Sequence, residues 1–328
     1  MLSRTVATST PSCGARCGTR PHHPGYTRSH MLLGGRVKPA KFDYYRPYSV
    51  PEAIEVLSSH PDSKVLAGGQ SLIPLMNMRL ATPAALVDIS RIEGLSGIDT
   101  NGGLRLGATT RQSDVLGNAV IQQRWPLITS AVVHVGHPAT RARGTFGGSI
   151  AHADPAAELS AVMLVLDASF GVQGPAGSRS VSAEGFFLGH YTTELAEDEL
   201  LVEIKIPDIS GWYWGFGEIV RRHGDYALAG VAASLRADEA GLVTDARIAL
   251  FAVAHRPVRS SAAEARLVGT RLGDPAAADE AGRVALDGVE VADDSFVSAT
   301  YRREAAASVV KRVVREAATN SRSGTDGQ

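Results

Sequence analysis

The sequence predicts an α+β protein: two small lobes that mix helix and strand, followed by a separate α+β domain. Three observations predict it. Short helix-type and strand-type segments alternate from Phe42 onward. Two Gly-Gly turns, Gly68-Gly69 and Gly147-Gly148, stand among these segments and lead toward helices. After Trp212 the composition changes, with strand-like runs giving way to a long stretch rich in Ala, Arg and Glu.

Composition sets the outer limits. The chain has 328 residues, 44% hydrophobic and 20% charged, which suits a globular protein of two or three domains. A formal net charge of -1 gives no reason to expect nucleic acid or an anionic membrane as partner. No run approaches the roughly 20 apolar residues of a membrane span. Only two cysteines occur, Cys13 and Cys17, so the body of the chain has no thiolates for an iron–sulfur cluster and no means of forming disulfides.

Residues 1–40 read as a disordered extension. They carry six Arg and Lys residues (Arg4, Arg16, Arg20, Arg28, Arg36, Lys38), no Asp or Glu, and no hydrophobic period. The composition resembles a transit peptide, and it also suits a segment upstream of a true start at Met31, which is the preferred reading. Cys13, Cys17, His22, His23 and His30 fit no standard zinc spacing, so no metal site is expected.

Order is expected from Phe42. Ser49 caps a helix to Ser58, with Pro51 in its first turn and Ala53, Ile54, Val56 and Leu57 on its apolar face. Lys64–Ala67 reads as a strand, Leu72–Met78 as a helix and Ala85–Ile89 as a strand. Asn101-Gly102-Gly103 signals a turn before the strand Leu104–Gly107. Helices are expected at Thr110–Asn118, Leu127–Val133 and from Asp154-Pro155 through Leu166, with Asp154 as the N-cap. Strands follow at Ser169–Gln173 and Leu200–Ile206, the latter ended by Pro207. Strands at Tyr226–Leu235 and Ala246–Ala254 and helix over 262–317 make the last domain. The expected boundaries are 41–211 for the first domain (subdomains 41–98 and 99–211), 212–319 for the second, and a loose polar tail over 320–328.

The two glycine loops carry the chemistry. Ala67-Gly68-Gly69-Gln70-Ser71 and Thr145-Phe146-Gly147-Gly148-Ser149 each pair two glycines with small hydroxyl residues. Backbone without Cβ can lie against a ligand, and successive N–H groups form a nest for a diphosphate. The first loop also opens a helix, whose free N–H groups favour an anion. Either loop alone is as well explained as a tight turn; the two together favour a phosphate-bearing ligand. There is no Gly-x-Gly-x-x-Gly fingerprint and no Walker A loop. The residues by themselves therefore stop at a diphosphate cofactor between two lobes.

At these residues a resemblance enters. Phe42-Asp43-Tyr44-Tyr45-Arg46-Pro47, Leu66 through Pro74, Arg79-Leu80-Ala81-Thr82-Pro83, Gly144 through Ser149 and Asp154-Pro155-Ala156-Ala157-Glu158 resemble the flavoprotein medium subunit of the carbon monoxide dehydrogenase and xanthine dehydrogenase-like molybdenum hydroxylases. Glu199-Leu200-Leu201, Ile206-Pro207 and Arg221 through Ala227 extend it over roughly 40–320. The resemblance implies a two-subdomain FAD-binding fold of the vanillyl-alcohol-oxidase type with a C-terminal α+β domain. It implies that Ala67, Gly68, Gly69, Gln70, Ser71, Thr145, Phe146, Gly147, Gly148 and Ser149 wrap FAD, with Glu158 an acidic contact and Leu200 a main-chain contact. It also implies Val135 as a further candidate contact and places Asp225 and Tyr226 in a segment near the flavin ring. Relatives often carry His at the position of Gln70; glutamine cannot form a histidyl–flavin bond, so FAD is expected to be noncovalent there, with Gln70 left to make a polar contact.

The resemblance further implies an electron-transfer role. Molybdopterin would sit on a large partner and two [2Fe–2S] clusters on a small one, in a dimer of heterotrimers located in the cytoplasm. FAD on this chain would pass electrons to an external acceptor. A stand-alone FAD oxidoreductase of the same fold, or a flavin-free scaffold subunit, are the alternatives. No catalytic acid, base or nucleophile stands out. His134, His137 and His152 are expected as loop or surface histidines, and Trp212, Tyr213 and Trp214 as core packing or a subunit contact.

Overall fold

The computed structural model describes residues 29–30, 38–291, 293 and 297–320. A first sheet is built around the parallel strands β2 (Asp43–Tyr45), β3 (Ser63–Leu66) and β4 (Ala85–Asp88), with β1 (Ser29–His30) antiparallel on its edge in the order β1-β2-β4-β3. β1 lies inside the stretch expected to be disordered: its backbone pairs with Asp43 and Tyr44. The cysteines, Met31 and the tail beyond residue 320 lie outside the described residues.

α1 (Val50–Ser59) links β2 to β3, and Ser49 caps it as expected by accepting from Glu52 N–H at 3.3 Å. Its Ala53, Val56 and Leu57 pack on one face of the sheet. α2 (Leu72–Asn77) links β3 to β4 and covers the other face through Met76 against Phe42 and Leu86. These are short parallel crossovers, each strand delivering its loop to the same carboxyl end of the sheet.

The second lobe is a five-stranded antiparallel sheet in the order β5-β6-β11-β7-β8, with β5 (Ile98–Asp99) and β6 (Leu104–Gly107). Between β6 and the rest of that sheet runs a helical excursion: α3 (Gln112–Gly117), α4 (Ala119–Arg124), α5 (Pro126–Val132), α6 (Pro138–Arg143), α7 (Phe146–His152) and α8 (Glu158–Val165). The sheet then resumes with β7 (Ser169–Gly174) and β8 (Gly177–Ser182). The short elements α9 (Ala183–Phe186), β9 (Phe187–Gly189) and β10 (Thr192–Thr193) precede β11 (Leu200–Ile206).

The last region is a four-stranded antiparallel meander, β12 (Trp212–Ile219), β13 (Ala229–Ala237), β14 (Val243–Phe251) and β15 (Val258–Arg259). α10 (Ser261–Leu267), α11 (Pro275–Val284) and α12 (Ala299–Ala317) cover one of its faces. The other face, through Ala232, Ala249 and Phe251, joins the core of the second lobe against α8. Every residue of α8 is buried, which explains its lack of an amphipathic period: it is enclosed on all sides. The α+β class and the plan of two lobes with a C-terminal α+β unit are what the structure shows.

Three local expectations change. α4 and α6 were not anticipated. The aromatic run Trp212-Tyr213-Trp214 opens a strand, and Trp212 packs in the core as expected, under the Arg247 guanidinium 4.3 Å from its ring. Thr145–Ser149 is not a loop but the start of α7, with Thr145 as the N-cap. Asp154 does not cap the following helix, which begins at Glu158. Its Oδ1 instead accepts from Ala156 N–H at 2.9 Å, closing an Asx turn that delays helix formation by a turn.

Candidate cofactor site

The first glycine loop leaves β3 at the carboxyl end of the parallel sheet. Leu66 pairs with Asp88, and beside them Tyr44 Oη donates to the Asp88 carboxylate, with Arg46 Nε 3.7 Å away. This cluster closes the sheet end just before the backbone turns out. Gly69 takes φ +72°, a left-handed conformation that glycine adopts without cost. The N–H groups of Gly68, Gly69, Gln70 and Ser71 donate to no acceptor among the described residues. Gln70 folds back, its Nε2 donating to Gly68 O at 3.4 Å. Ser71 makes no side-chain cap, and α2 has only six residues. The donors of the loop, rather than a long helix dipole, are what this turn offers an anion.

The second glycine segment has the opposite character. Phe146 N–H donates to Thr110 O, Gly147 N–H to Ala108 O, Gly148 N–H to Thr145 Oγ1 and Ser149 N–H to Thr145 O. Phe146 is wholly buried in the core, and only Gly148 and Ser149 approach the surface. The expected second nest of free N–H groups is therefore absent; capping and turn formation have used those donors.

What the glycines accomplish is contact between the segments. A methyl group at Gly68 would press on the Arg143 carbonyl and stand 2.8 Å from Gly144 Cα and 3.0 Å from Thr145 N. One at Gly148 would lie 2.5 Å from Thr145 Oγ1 and 3.6 Å from the Ala67 Cβ. The two segments, about 80 residues apart in sequence, thus touch backbone to backbone, as close packing without Cβ atoms allows. Arg111 ties the same place, donating to Arg143 O. The result is a cradle with a row of free N–H donors on one wall and a half-buried hydroxyl, Ser149, on the other; this chemistry fits a diphosphate.

Glu158 sits at the start of α8, 8% exposed, and burial pushes its carboxyl up to about 8, with Glu218 and Asp154 adding to the rise. Leu200 opens β11 with its side chain buried in the core of the first lobe, which leaves only its main chain for a ligand. Val135 O is taken by Arg141, whose Nη1 also reaches Val133 O and Gly136 O. Tyr226 is exposed and lies in the electrostatic field of Asp154 and Glu158, so the 221–226 turn of the C-terminal unit does reach this side of the molecule. Gly224 packs on the His137 ring in the same region.

Several residues here escaped the sequence reading. Tyr191, with φ +51°, donates its N–H to Ala153 O, and its hydroxyl lies 3.5 Å from Asp154 Oδ2. Ala252, also at positive φ, donates to Pro155 O. The Asp154–Glu158 turn is thus clamped from both sides by residues held in the left-handed region, a costly conformation that only surrounding structure maintains. His152, expected as a loop or surface histidine, ends α7 with its ring 5.0 Å from that of Tyr191, and burial lowers its pKa. Tyr191 and Ala252 are about 35 to 100 residues from the turn, and no local motif marks them.

Two family models match the chain. Residues 40–209 match the FAD binding domain in molybdopterin dehydrogenase, and residues 214–317 match the CO dehydrogenase flavoprotein C-terminal domain. The chain belongs to this family of FAD-binding subunits. The carbon monoxide dehydrogenase medium chain of Hydrogenophaga pseudoflava is 39% identical over 285 residues, covering 85% of this chain and 98% of that one. The 6-hydroxypseudooxynicotine dehydrogenase complex subunit alpha of Paenarthrobacter nicotinovorans is 37% identical over 291 residues, with coverage of 87% and 97%. Among solved structures, a chain of quinoline 2-oxidoreductase from Pseudomonas putida 86 superposes with a TM-score of 0.82 at 39% identity, over 87% of this chain and 99% of that one. As a member of this family the chain is an FAD-dependent oxidoreductase subunit. No helix among the described residues is long and apolar enough to cross a membrane, and no group of three or more His, Cys, Asp or Glu among them is arranged to hold a metal.

Proposed function

We propose that this chain holds FAD noncovalently between its two lobes and relays electrons within a heterotrimeric molybdenum hydroxylase. The observation that carries the reading is the contact of Gly68 with the Arg143–Thr145 backbone, which brings the free N–H groups of Gly68, Gly69, Gln70 and Ser71 against the second glycine segment. In this reading Ala67–Ser71 bind the diphosphate. Thr145, Phe146 and Gly147 shape the opposite wall, and Gly148 and Ser149 meet the ligand. Glu158 and the Leu200 main chain contact the rest of the cofactor. Gln70 contributes a polar group and no covalent bond.

Bound FAD would supply acceptance of electrons from one redox partner and their delivery to another. The chain's own residues bind and orient it. Relatives named for carbon monoxide, 6-hydroxypseudooxynicotine and quinoline are 37% to 39% identical and are matched over 97% to 99% of their own length. Such unlike substrates on one flavin scaffold support recognition of the substrate on another subunit. The body of the chain, 40–320, contains no cysteine, which supports placing [2Fe–2S] clusters on a small partner and molybdopterin on a large one. We place the assembly in the cytoplasm as a dimer of heterotrimers, passing electrons to an external acceptor.

The test is purification of the tagged chain from its native host. Stoichiometric FAD, released by acid, together with a co-purifying molybdopterin subunit and an iron–sulfur subunit, is the expected result. A colourless protein that cannot be reconstituted with FAD defeats the flavin assignment, and a flavin-loaded chain isolated alone defeats the heterotrimer.

A further inference from the structure

Arg111 lies between β6 and α3 and stands across from Thr145 in a single antiparallel bridge. Its neighbours fix that place: Phe146 N–H donates to Thr110 O at 2.8 Å, and Gln112 N–H donates to Gly144 O at 3.0 Å. The Arg111 side chain reaches back along the second glycine segment, and its Nη1 donates to Arg143 O. Arg143 O is also the atom on which a methyl group at Gly68 would press. One carbonyl oxygen therefore lies between the Arg111 guanidinium and Gly68, the first residue in the row of free N–H donors.

The guanidinium is under-used where it stands. It has five N–H donors, and Arg143 O is the one acceptor it meets among the described residues. No carboxylate among them lies within ion-pairing distance. Asp114, the nearest acid along the chain, is exposed and meets Ser113 Oγ at 3.3 Å instead. A half-buried cation facing a carbonyl alone leaves most of its charge unanswered. The walls of the cradle otherwise supply backbone N–H groups and the Ser149 hydroxyl, which are dipoles without net charge. The Arg143 side chain is exposed, and what Arg143 brings to the contact is its carbonyl. A diphosphate carries full negative charge, and a planar guanidinium can meet phosphate oxygens through two parallel N–H bonds.

We propose that Arg111 is the cationic partner of the bound diphosphate: it ties the second glycine segment through Arg143 O and gives its remaining N–H donors to phosphate oxygens held by the first loop. That the diphosphate belongs to a flavin rests on the reading under Proposed function; that the cradle takes a diphosphate through Arg111 is a separate claim. The role discriminates by charge. A flavin without phosphates gains nothing from Arg111, and a diphosphate without a flavin gains as much as FAD does. A purely structural tie through Arg143 O would instead serve every ligand of the cradle alike.

The experiment uses the chain purified from its native host with the subunits that accompany it, stripped of flavin and titrated with FAD, ADP and riboflavin. Arg111→Met should weaken FAD and ADP alike, by about 10- to 100-fold, the worth of a hydrogen bond to a charged group. Riboflavin, which has the flavin ring and no phosphate, should bind wild type and R111M equally. Wild-type affinity for FAD should fall as salt rises, because added ions screen the pair, and R111M should show a flatter dependence. Arg111→Gln keeps an N–H donor for Arg143 O without the charge and should lose FAD nearly as R111M does; it also decides the matter if R111M fails to fold. Arg111→Lys, a charge without the planar fork, should fall between wild type and R111Q. Unchanged FAD affinity in R111M, an equal loss of riboflavin and FAD, or wild-type affinity in R111Q overturns the proposal. If ADP binds through Arg111 and FAD does not bind, the flavin reading fails and the proposal stands. If FAD binds and R111M and R111Q have no effect, the proposal fails and the flavin reading stands. A wild-type chain that binds neither defeats both.

Discussion

Gly68 and Thr145 meet backbone to backbone: a methyl on Gly68 would stand 3.0 Å from the Thr145 nitrogen and closer still to Gly144 Cα. The second glycine segment thus serves the first by approaching it. Its own N–H groups are turned inward to Thr110, Ala108 and Thr145.

Gly68→Ala should therefore separate the segments. Backbone on both sides gives the methyl no flexible neighbour to displace, and such overpacking costs about 1–3 kcal/mol. The expected outcome is loss of flavin from purified protein, with FAD affinity down at least about tenfold, since 1.4 kcal/mol is a factor of ten. The check is the flavin-to-protein ratio alongside circular dichroism. Full flavin content in a folded variant would remove the first loop from the site.

Gln70 predicts complete release of FAD on denaturation. All flavin absorbance should appear in the supernatant after acid precipitation. Gln70→Ala should weaken retention only modestly, because the amide's hydrogen bond in the structure is a 3.4 Å contact within its own loop. Flavin remaining with the precipitate would show a covalent attachment.

Arg141 should behave as a structural clamp. It is buried, and its Nη1 serves the carbonyls of Val133, Val135 and Gly136 around His134. Arg141→Met should cost about 2–4 kcal/mol, since each buried carbonyl left without a donor costs about 1–3 kcal/mol and part relaxes to water. Denaturant melts measure it. A change under about 0.5 kcal/mol, the size of an ordinary surface substitution, would show the clamp to be dispensable.

Glu199 makes a pH prediction. Arg179 contacts it at 2.6 and 2.7 Å, and this hydrogen bonding holds the Glu199 carboxyl below its ordinary range. A carboxyl lowered in the folded state stabilises above its unfolded pKa, and that contribution disappears as pH falls through the folded value. Stability should therefore drop on acidification below about 4.3, the ordinary glutamate value, and Arg179→Met should flatten that part of the profile. An unchanged acid limb in the variant rules the pair out as its source.

Trp125 tests the joint between the helical excursion and the end of β11. It is 0% exposed, and its Nε1 donates to Pro207 O at 3.0 Å. Trp125→Ala should cost about 3–5 kcal/mol. Trp125→Phe should cost less but leave the Pro207 carbonyl short of a donor, about 1–3 kcal/mol. Equal losses in the two variants would mean that the hydrogen bond, not the packing, dominates.

Much of the local structure was legible because its signals are local. Ser49 and Pro51 define the start of α1, and Pro207 ends β11 at Ile206. The alternation in Leu200–Ile206 marks a strand with sides of different character. Failures occurred where a local signal has two meanings. Asp154 before Pro155 reads as a helix cap, but an Asx turn uses the same carboxylate. Two glycines after Thr145 read as a loop, but Thr145 caps a helix that tolerates them because the structure around Ala108 is too close for a side chain at Gly147.

The sequence by itself determined the family, the α+β class, the presence of two glycine segments with phosphate-binding potential, and a body without thiolates. Those properties reside in residue identity and short spacing. Only the tertiary structure decided which glycine segment keeps free N–H groups, that Gly68 touches Thr145 across about 80 residues, and that Glu218 of β12 reaches His134. Hydrogen-bond satisfaction and the burial of charge depend on which distant segments pack together, and spacing along the chain does not encode that.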